Sequence, residues 1–507
     1  MAFAPEYKNI DINLLKNLHD EMVVLPVNLQ SNGFVVKQVL SVHAHPIVNN
    51  VICTNGNADV GGVVVLKALV VGDENDYQVL EQESTFNLHI QDVDIVENIK
   101  MFASASFVEI SNLAPNENNL ACNVKIKVST SLIKQQNLQY LKSVGNNANQ
   151  KTRVRQYNNI VNNATQTFDI TNEVNLPNNI SNILMVNADC MVERTETSAD
   201  IVVAVGKVYA QVIYLTNEEI PKLKHQDYVL DFSQELLLTG TTTDDRALVC
   251  LNINKIEHEV QGEMNSSKGV LVLKSTINAN VQLLRQMEFE NVEDAFCVDH
   301  ELDITTAQYC NQTLESMQLN EKVEGSLSLP DDVRIDKIVC ITNKHTVCSI
   351  MHTQEGVQLQ GIVYANIIYQ LDDDSLTIGA ISAEIPFTKQ LDITTSDMIV
   401  QTTISELEAR SKRIKDIDIQ ADVYITINYT QNVDENIIDT INIGEKCTNV
   451  NKPLGVYIIN NANELWDVAK HLRVSPNDLL LQNPNLTFPI TQPTNVLVYR
   501  QTTHTNV

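Results

Sequence analysis

Three sequence markers recur in one fixed order, at a period of about 150 residues. The first is a Leu-Pro step after a short apolar run: Leu25-Pro26, Leu176-Pro177 and Leu329-Pro330. The second is a glycine that opens an apolar strand, at Gly62, Gly206 and Gly361. The third is a Phe-x-x-x-Ile/Leu step: Phe86 to Ile90, Phe232 to Leu236 and Phe387 to Leu391. The glycine follows the proline by roughly thirty residues and precedes the phenylalanine by roughly twenty-five in every unit. A chain of 507 residues with this pattern is a row of similar units rather than one large core.

The residues after each glycine fix the kind of unit. Side chains alternate faces along a strand. One face reads Val64, Leu66, Ala68, Val70, then Val208, Ala210, Val212, Tyr214, then Val363, Ala365, Ile367, Tyr369. The other face carries Lys67, Gln211 and Asn366 in one column. A dry face and a partly wet one belong to antiparallel sheets. Polar segments follow each strand and read as hairpin loops: Gly72-Asp-Glu-Asn, Thr216-Asn-Glu-Glu and Asp372-Asp-Asp. The acidic run Asp372–Asp374 reads as a solvated loop rather than a calcium site. Val-, Ile- and Thr-rich segments at residues 121–133, 269–284 and 418–430 close the units. The fold class expected is mainly β, with three repeated antiparallel, sandwich-like modules. Asn-rich sequence between the first two, after Gly145, reads as a linker or edge element. Leu14, Leu15, Leu18 and Met22 have helical spacing, so a short helix is expected over Asn13–Met22.

Composition excludes several functions. The net charge is −28, from 35 basic and 63 acidic residues, which argues against nucleic acid and against anionic membranes. No run of about 18 apolar residues is present, so no transmembrane helix is expected. The N-terminal stretch lacks the pattern of a secretory signal. The nine cysteines are odd in number and form no CxxC pair, which fits reduced thiols in a cytosolic protein. No phosphate loop, GxSxG or HExxH is present, so no enzyme activity, cofactor or metal is expected and no catalytic residue is assigned. His43 and His45 share a strand face and read as structural rather than as a metal pair.

The last part of the chain changes character. Tyr457-Ile-Ile reads as a strand, and Leu465, Val468, Ala469 and Leu472 as the apolar stripe of a helix. Ser475 is an N-cap candidate and Pro476 suits the first helical position of a second helix, with Asp478 placed for a capping-box-like contact. Asn483-Pro484 ends it, and Val496-Leu-Val-Tyr reads as a closing strand. This βααβ order resembles the LysM domain, through Leu465-Trp466-x-x-Ala469, Val474-Ser475, Leu479, Asn483-Pro484 and Val496-Leu497-x-Tyr499. The resemblance implies a groove between the loop before the first helix and the loop after the second. Asn463, Glu464, Leu465, Trp466, Asn483 and Pro484 are the binding residues it implies. LysM domains generally bind N-acetylglucosamine polymers through a Gly-Asp-Thr step before the Leu-Trp pair. Ala462, Asn463 and Glu464 stand there instead, which argues against sugar.

β-rich repeats followed by a LysM-like module resemble the spore-coat morphogenetic proteins that carry repeated SPOCS domains, the group of the clostridial partner of stage IV sporulation protein A. The strand after Gly361, the Ile385-Pro-Phe-Thr-Lys-Gln-Leu-Asp step and Glu293-Asp-Ala-Phe-Cys-Val-Asp carry this likeness. The third unit carries it best and the first least. It implies modules at 1–140, 141–288 and 289–448 and a LysM domain at 453–501. It implies a non-enzymatic scaffold that binds the polymerising basement-layer ATPase, stage IV sporulation protein A, and other coat proteins. The scaffold would act in the mother-cell cytoplasm, at the forespore surface. A peptidoglycan-binding cell-wall or cortex protein is the alternative.

Overall fold

A computed structural model describes residues 3–500, apart from 19, 73–75, 117–118, 146–147, 177–178, 263–268, 331–332, 355, 373–376, 396, 412–414 and 448–452. The fold is mainly β, built of several small antiparallel sheets, with two short helices near the C-terminal end.

The second unit shows the plan most simply. Its strands are β8 (Asn149–Asn175), β9 (Ile180–Ser198), β10 (Ile201–Thr216), β11 (Leu223–Leu237), β12 (Arg246–Gln261) and β13 (Val270–Phe296). One sheet has the order β11-β10-β9 and the other β12-β13-β8. Val202, Val208 and Val212 of the first sheet pack with Leu271, Ile277 and Val281 of the second in one dry core. The third unit repeats this with β14 (His300–Ser328), β15 (Ile335–Thr353), β16 (Gly356–Leu371), β17 (Ile378–Leu391), β18 (Met398–Ser411) and β19 (Asp416–Lys446). Its sheets have the orders β15-β16-β17 and β14-β19-β18.

The first unit differs in one place. β1 (Glu6–Asn17) and β2 (Glu21–Gln30) both pair with β7 (Asn119–Ser143) and together take the place of the single long strand β8 or β14. β3 (Gln38–Thr54), β4 (Asn57–Val71) and β5 (Tyr77–Gln91) form the second sheet, and β6 (Met101–Asn116) pairs with β7. The helix expected over Asn13–Met22 is therefore absent. Ile12 and Leu15 are buried in a strand whose ladder to β7 satisfies the backbone. That tertiary pairing outweighs a local leucine spacing.

The repeat markers acquire a physical cause. Each marker glycine lies inside its strand rather than at its start. It stands opposite the marker phenylalanine in the ladder: Gly62 faces Phe86, Gly206 faces Phe232 and Gly361 faces Phe387. A Cβ at Gly206 would lie 2.7 Å from Phe232 Cζ and would also run into the Met191 carbonyl oxygen. At Gly62 it would meet Phe86 and the Ile47 carbonyl oxygen, and at Gly361 it would overlap the edge of the Phe387 ring. The ring lies over the strand where no side chain stands, and that fixes register as well as packing.

The dry faces are buried as the alternation requires, from Val64 through Tyr369. The opposite face is not simply wet. Two residues beyond Lys67, Gln211 and Asn366, it carries Leu69, Ile213 and Ile368, all fully buried in one cluster with Leu40, Met185 and Cys340. Three units meet there. A second shared cluster joins Ile12, Tyr140, Tyr157, Phe289, Tyr309 and Ile437.

The Asn-rich segment is the edge strand β8, not a linker. Side-chain amides of β1, β8 and β14 bind the backbones of neighbouring units. Asn159 Oδ1 accepts from Asn13 N at 2.8 Å, and Asn13 Nδ2 donates to Ile160 O at 2.9 Å. Asn311 Nδ2 donates to Gln156 O at 3.1 Å. Gln312 holds both Leu15 N, at 2.7 Å, and Leu15 O, at 2.9 Å. Such amides satisfy edge groups that a ladder leaves open.

His43 and His45 serve these seams as well. His43 Nδ1 is 3.4 Å from Asn343 Oδ1 of the third unit, and His45 Nε2 bonds Ile253 O of the second. His345 Nε2 bonds Val108 O of the first unit at 3.1 Å. Of the acidic loop, Asp372 is an exposed residue following β16, while Asp373 and Asp374 lie outside the described residues.

Candidate partner-docking site

Beyond β19 the chain forms β20 (Leu454–Ile459), α1 (Leu465–Leu472), α2 (Pro476–Gln482) and β21 (Thr494–Tyr499), with β20 antiparallel to β21. α1 opens with a capping box between Glu464 and Asp467. α2 opens at Ser475, whose Oγ accepts from Asp478 N at 3.1 Å, with Pro476 in the first turn. Val468, Ala469, Leu472, Leu479, Val496 and Val498 form the core of this module.

That core is completed from outside. Phe296, the last residue of β13, is buried in the same cluster. Its ring meets the Trp466 ring edge-on with centroids 5.1 Å apart. Trp466 Nε1 donates to Asp294 Oδ2 at 2.8 Å, and Lys470 Nζ donates to both Asp294 oxygens at 2.7 Å. Arg473 ends α1 in the left-handed region and donates to Cys297 O at 3.2 Å and His300 O at 3.0 Å. Its second guanidinium nitrogen pairs with Glu301. That hydrogen bond raises the Arg473 pKa and holds the Glu301 carboxyl below its ordinary value. Lys151 of β8 pairs with Glu464 at 2.7 Å.

The residues implied by the resemblance thus divide. Glu464 and Trp466 face the second unit through Lys151, Asp294 and Phe296. Leu465 packs partly buried on the module core. Asn483 ties α2 to β21: its Oδ1 accepts from Leu497 N at 2.8 Å and its Nδ2 donates to Leu497 O at 2.7 Å. Asn463 and Pro484 are exposed. Asp294, Phe296, Lys470 and Arg473 are the participants that motif reading did not assign. The Glu293-Asp-Ala-Phe segment stood out in the sequence, but its contact with α1 spans 172 residues, beyond any local pattern.

The module's other side is exposed. The face of the ribbon turned from the helices shows Leu454, Val456 and Ile458, at 61, 66 and 65% exposure, with Leu497 and Tyr499 beside them. Strand pairing places Leu454 opposite Tyr499 and Val456 opposite Leu497, so these side chains form one apolar patch. Among the described residues no group of three or more His, Cys, Asp or Glu gathers as a metal site, and no helix is long and apolar enough to cross a membrane.

The class so defined is a set of repeated antiparallel β units bearing a small βααβ module with an apolar outer face. Comparison with known families narrows it. Residues 179–261 and 334–422 match the family described as SipL, SPOCS domain. Those segments span β9–β12 in the second unit and β15 to the start of β19 in the third. Two segments of the chain thus match the SPOCS domain model. Comparison with curated proteins gave no match, and comparison with solved structures gave none.

Proposed function

We propose that the protein is a non-enzymatic scaffold of spore-coat assembly. The βααβ module is a LysM domain, and it binds the polymerising basement-layer ATPase, stage IV sporulation protein A or its like. The β units help encase the forespore from the mother-cell cytoplasm and contact other coat proteins. The partition into units 1–140, 141–288 and 289–448 and a LysM domain at 453–501 belongs to this proposal, supported by the repeated sheet order. Asn463, Glu464, Leu465, Trp466, Asn483 and Pro484 form the proposed partner edge of the LysM domain.

The observation that carries the reading is the apolar outer face of β20 and β21, on a chain whose net charge is −28. Exposed aliphatic side chains in a contiguous patch favour a protein surface. A glycan is held by hydrogen bonds and aromatic faces, and the outer face of this ribbon offers one tyrosine, Tyr499, since Tyr457 packs on the module core. The two SPOCS segments supply the coat context.

The test is co-sedimentation of the full chain with ATPase polymer, in parallel with purified peptidoglycan. Val456→Glu places a charge in the patch centre without touching the module core. Binding to the polymer is expected to fall about tenfold or more, since burying an unpaired charge costs several kcal/mol. Strong retention on peptidoglycan with none on the ATPase polymer would select the cell-wall reading instead.

A further inference from the structure

The contacts on α1 fall on one strand segment in a regular way. β13 pairs with β8 through Val292 opposite Thr152 and then Asp294 opposite Lys151, so Glu293 is a β-bulge. A bulge re-aims the side chains that follow it. Asp294 and Phe296, two apart, share the face toward α1, while Ala295 is buried on the other. The carboxylate meets an indole N–H and an ammonium, the ring meets the indole edge, and the backbone carbonyls of Cys297 and His300 meet a guanidinium. In an acidic chain, α1 concentrates Lys470, His471 and Arg473 in its last turn and C-cap. The carboxylate and the ring, two apart on one face of β13, are the features of an extended peptide, and the two carbonyls flank the bend that follows it.

We propose that the α1 edge of the C-terminal module is a recognition site for a polypeptide strand of the form acidic-x-aromatic, and that Asp294-Ala295-Phe296 of the same chain occupies it. The ligand class is an extended segment with Asp or Glu two positions before Phe, Tyr or Trp. A partner strand of that kind competes with residues 294–296 and frees the module from the second unit as it binds. The tethered segment is held at an effective concentration on the order of millimolar, so a weak free strand does not displace it. A strand with further contacts, or one repeated along a polymer, does. The inference rests on the reading that the module is the partner-binding part. Its test needs no partner, so the two fail separately.

Trp466 is the single tryptophan of the chain and reports directly on the edge. Acrylamide quenching of its fluorescence is measured on the full chain, wild type and Asp294→Ala, with Asp294→Asn as a shape-conserving second variant. A synthetic peptide of residues 292–301, carrying Cys297→Ser, is then titrated. The same peptide with Asp294→Ala is the control. Quenching is expected to rise about twofold in Asp294→Ala, since the indole loses a charge-assisted partner. The peptide restores protection saturably in that variant and has no effect on the wild type at the same concentrations. The control peptide binds about tenfold more weakly or worse. If Asp294→Ala loses its native circular dichroism, Asp294→Asn is judged by the same criteria. A natively folded variant quenched as the wild type, or one quenched more but indifferent to millimolar peptide, overturns the proposal.

Discussion

Gly361→Ala tests the origin of the repeat signature. The new Cβ overlaps the edge of the Phe387 ring, and no backbone atom stands among its nearest contacts. Only the ring must move, and Phe387 is a half-buried side chain beside the core of the third unit. Overpacking of this kind costs about 1–3 kcal/mol, while replacing glycine within a strand returns about 0.5–1 kcal/mol. The net expectation is a loss of about 1–2 kcal/mol. Phe387→Leu alone costs about 1 kcal/mol by lost packing, a partial form of the Phe→Ala truncation. The double variant Gly361→Ala/Phe387→Leu should be no less stable than the sum of the singles, with a favourable coupling of about 1 kcal/mol. Gly206→Ala behaves differently, because its Cβ also meets the Met191 carbonyl oxygen of β9. Phe232→Leu therefore rescues it poorly. Native-state hydrogen exchange over residues 356–391 and 201–237 reads the opening free energy of each unit separately. Additive costs at residues 361 and 387, within about 0.3 kcal/mol, would refute the ring-over-glycine account.

Other consequences follow from the same structure. Burial, with His45 and His345 nearby, pushes the His43 imidazole from its ordinary value of 6.5 down to about 3. The folded chain keeps it neutral while the unfolded chain protonates it, so this stabilisation is full above about pH 6.5 and lost as pH falls toward 3. At about pH 5 the loss from His43 is about 2 kcal/mol, and His43→Gln should flatten that part of the urea-midpoint profile between neutral pH and pH 5. Asp245, whose side chain is buried, pairs with Arg285 through Nε at 2.7 Å and Nη2 at 2.8 Å. Those bonds hold its carboxyl below the ordinary range, and Asp245→Ala should destabilise the second unit by about 3 kcal/mol, read by hydrogen exchange over β12 and β13. Trp466→Glu removes the indole donor and sets a second carboxylate beside Asp294. It should leave far-UV circular dichroism native yet weaken binding to the ATPase polymer about tenfold; unchanged binding by a folded variant rules out an interface role for Trp466.

Much of the fold was written in local pattern. The alternation around Gly62, Gly206 and Gly361 gave the strands and their dry face, because a period of two survives whatever the strand packs on. The caps at Ser475 and Pro476 gave α2, because capping is settled within one turn of chain. The Asn13–Met22 helix failed because β7, about a hundred residues away, supplied a ladder. The glycine and phenylalanine were legible as markers but not as partners, since pairing across a hairpin leaves no mark in spacing alone.

Sequence by itself determined that the chain is a β repeat with a compact βααβ module, since side-chain period and end-capping act over a few residues. Tertiary structure alone decided how the units meet. Leu69, Ile213 and Ile368 lie on a face that also carries Lys67, Gln211 and Asn366, and only the meeting of three units makes one part of it dry. It also decided what the lone tryptophan touches. The indole N–H of the half-buried Trp466 takes the carboxylate that the bulge at Glu293 brings to it, and no pattern in the residues around Trp466 names a partner on another strand.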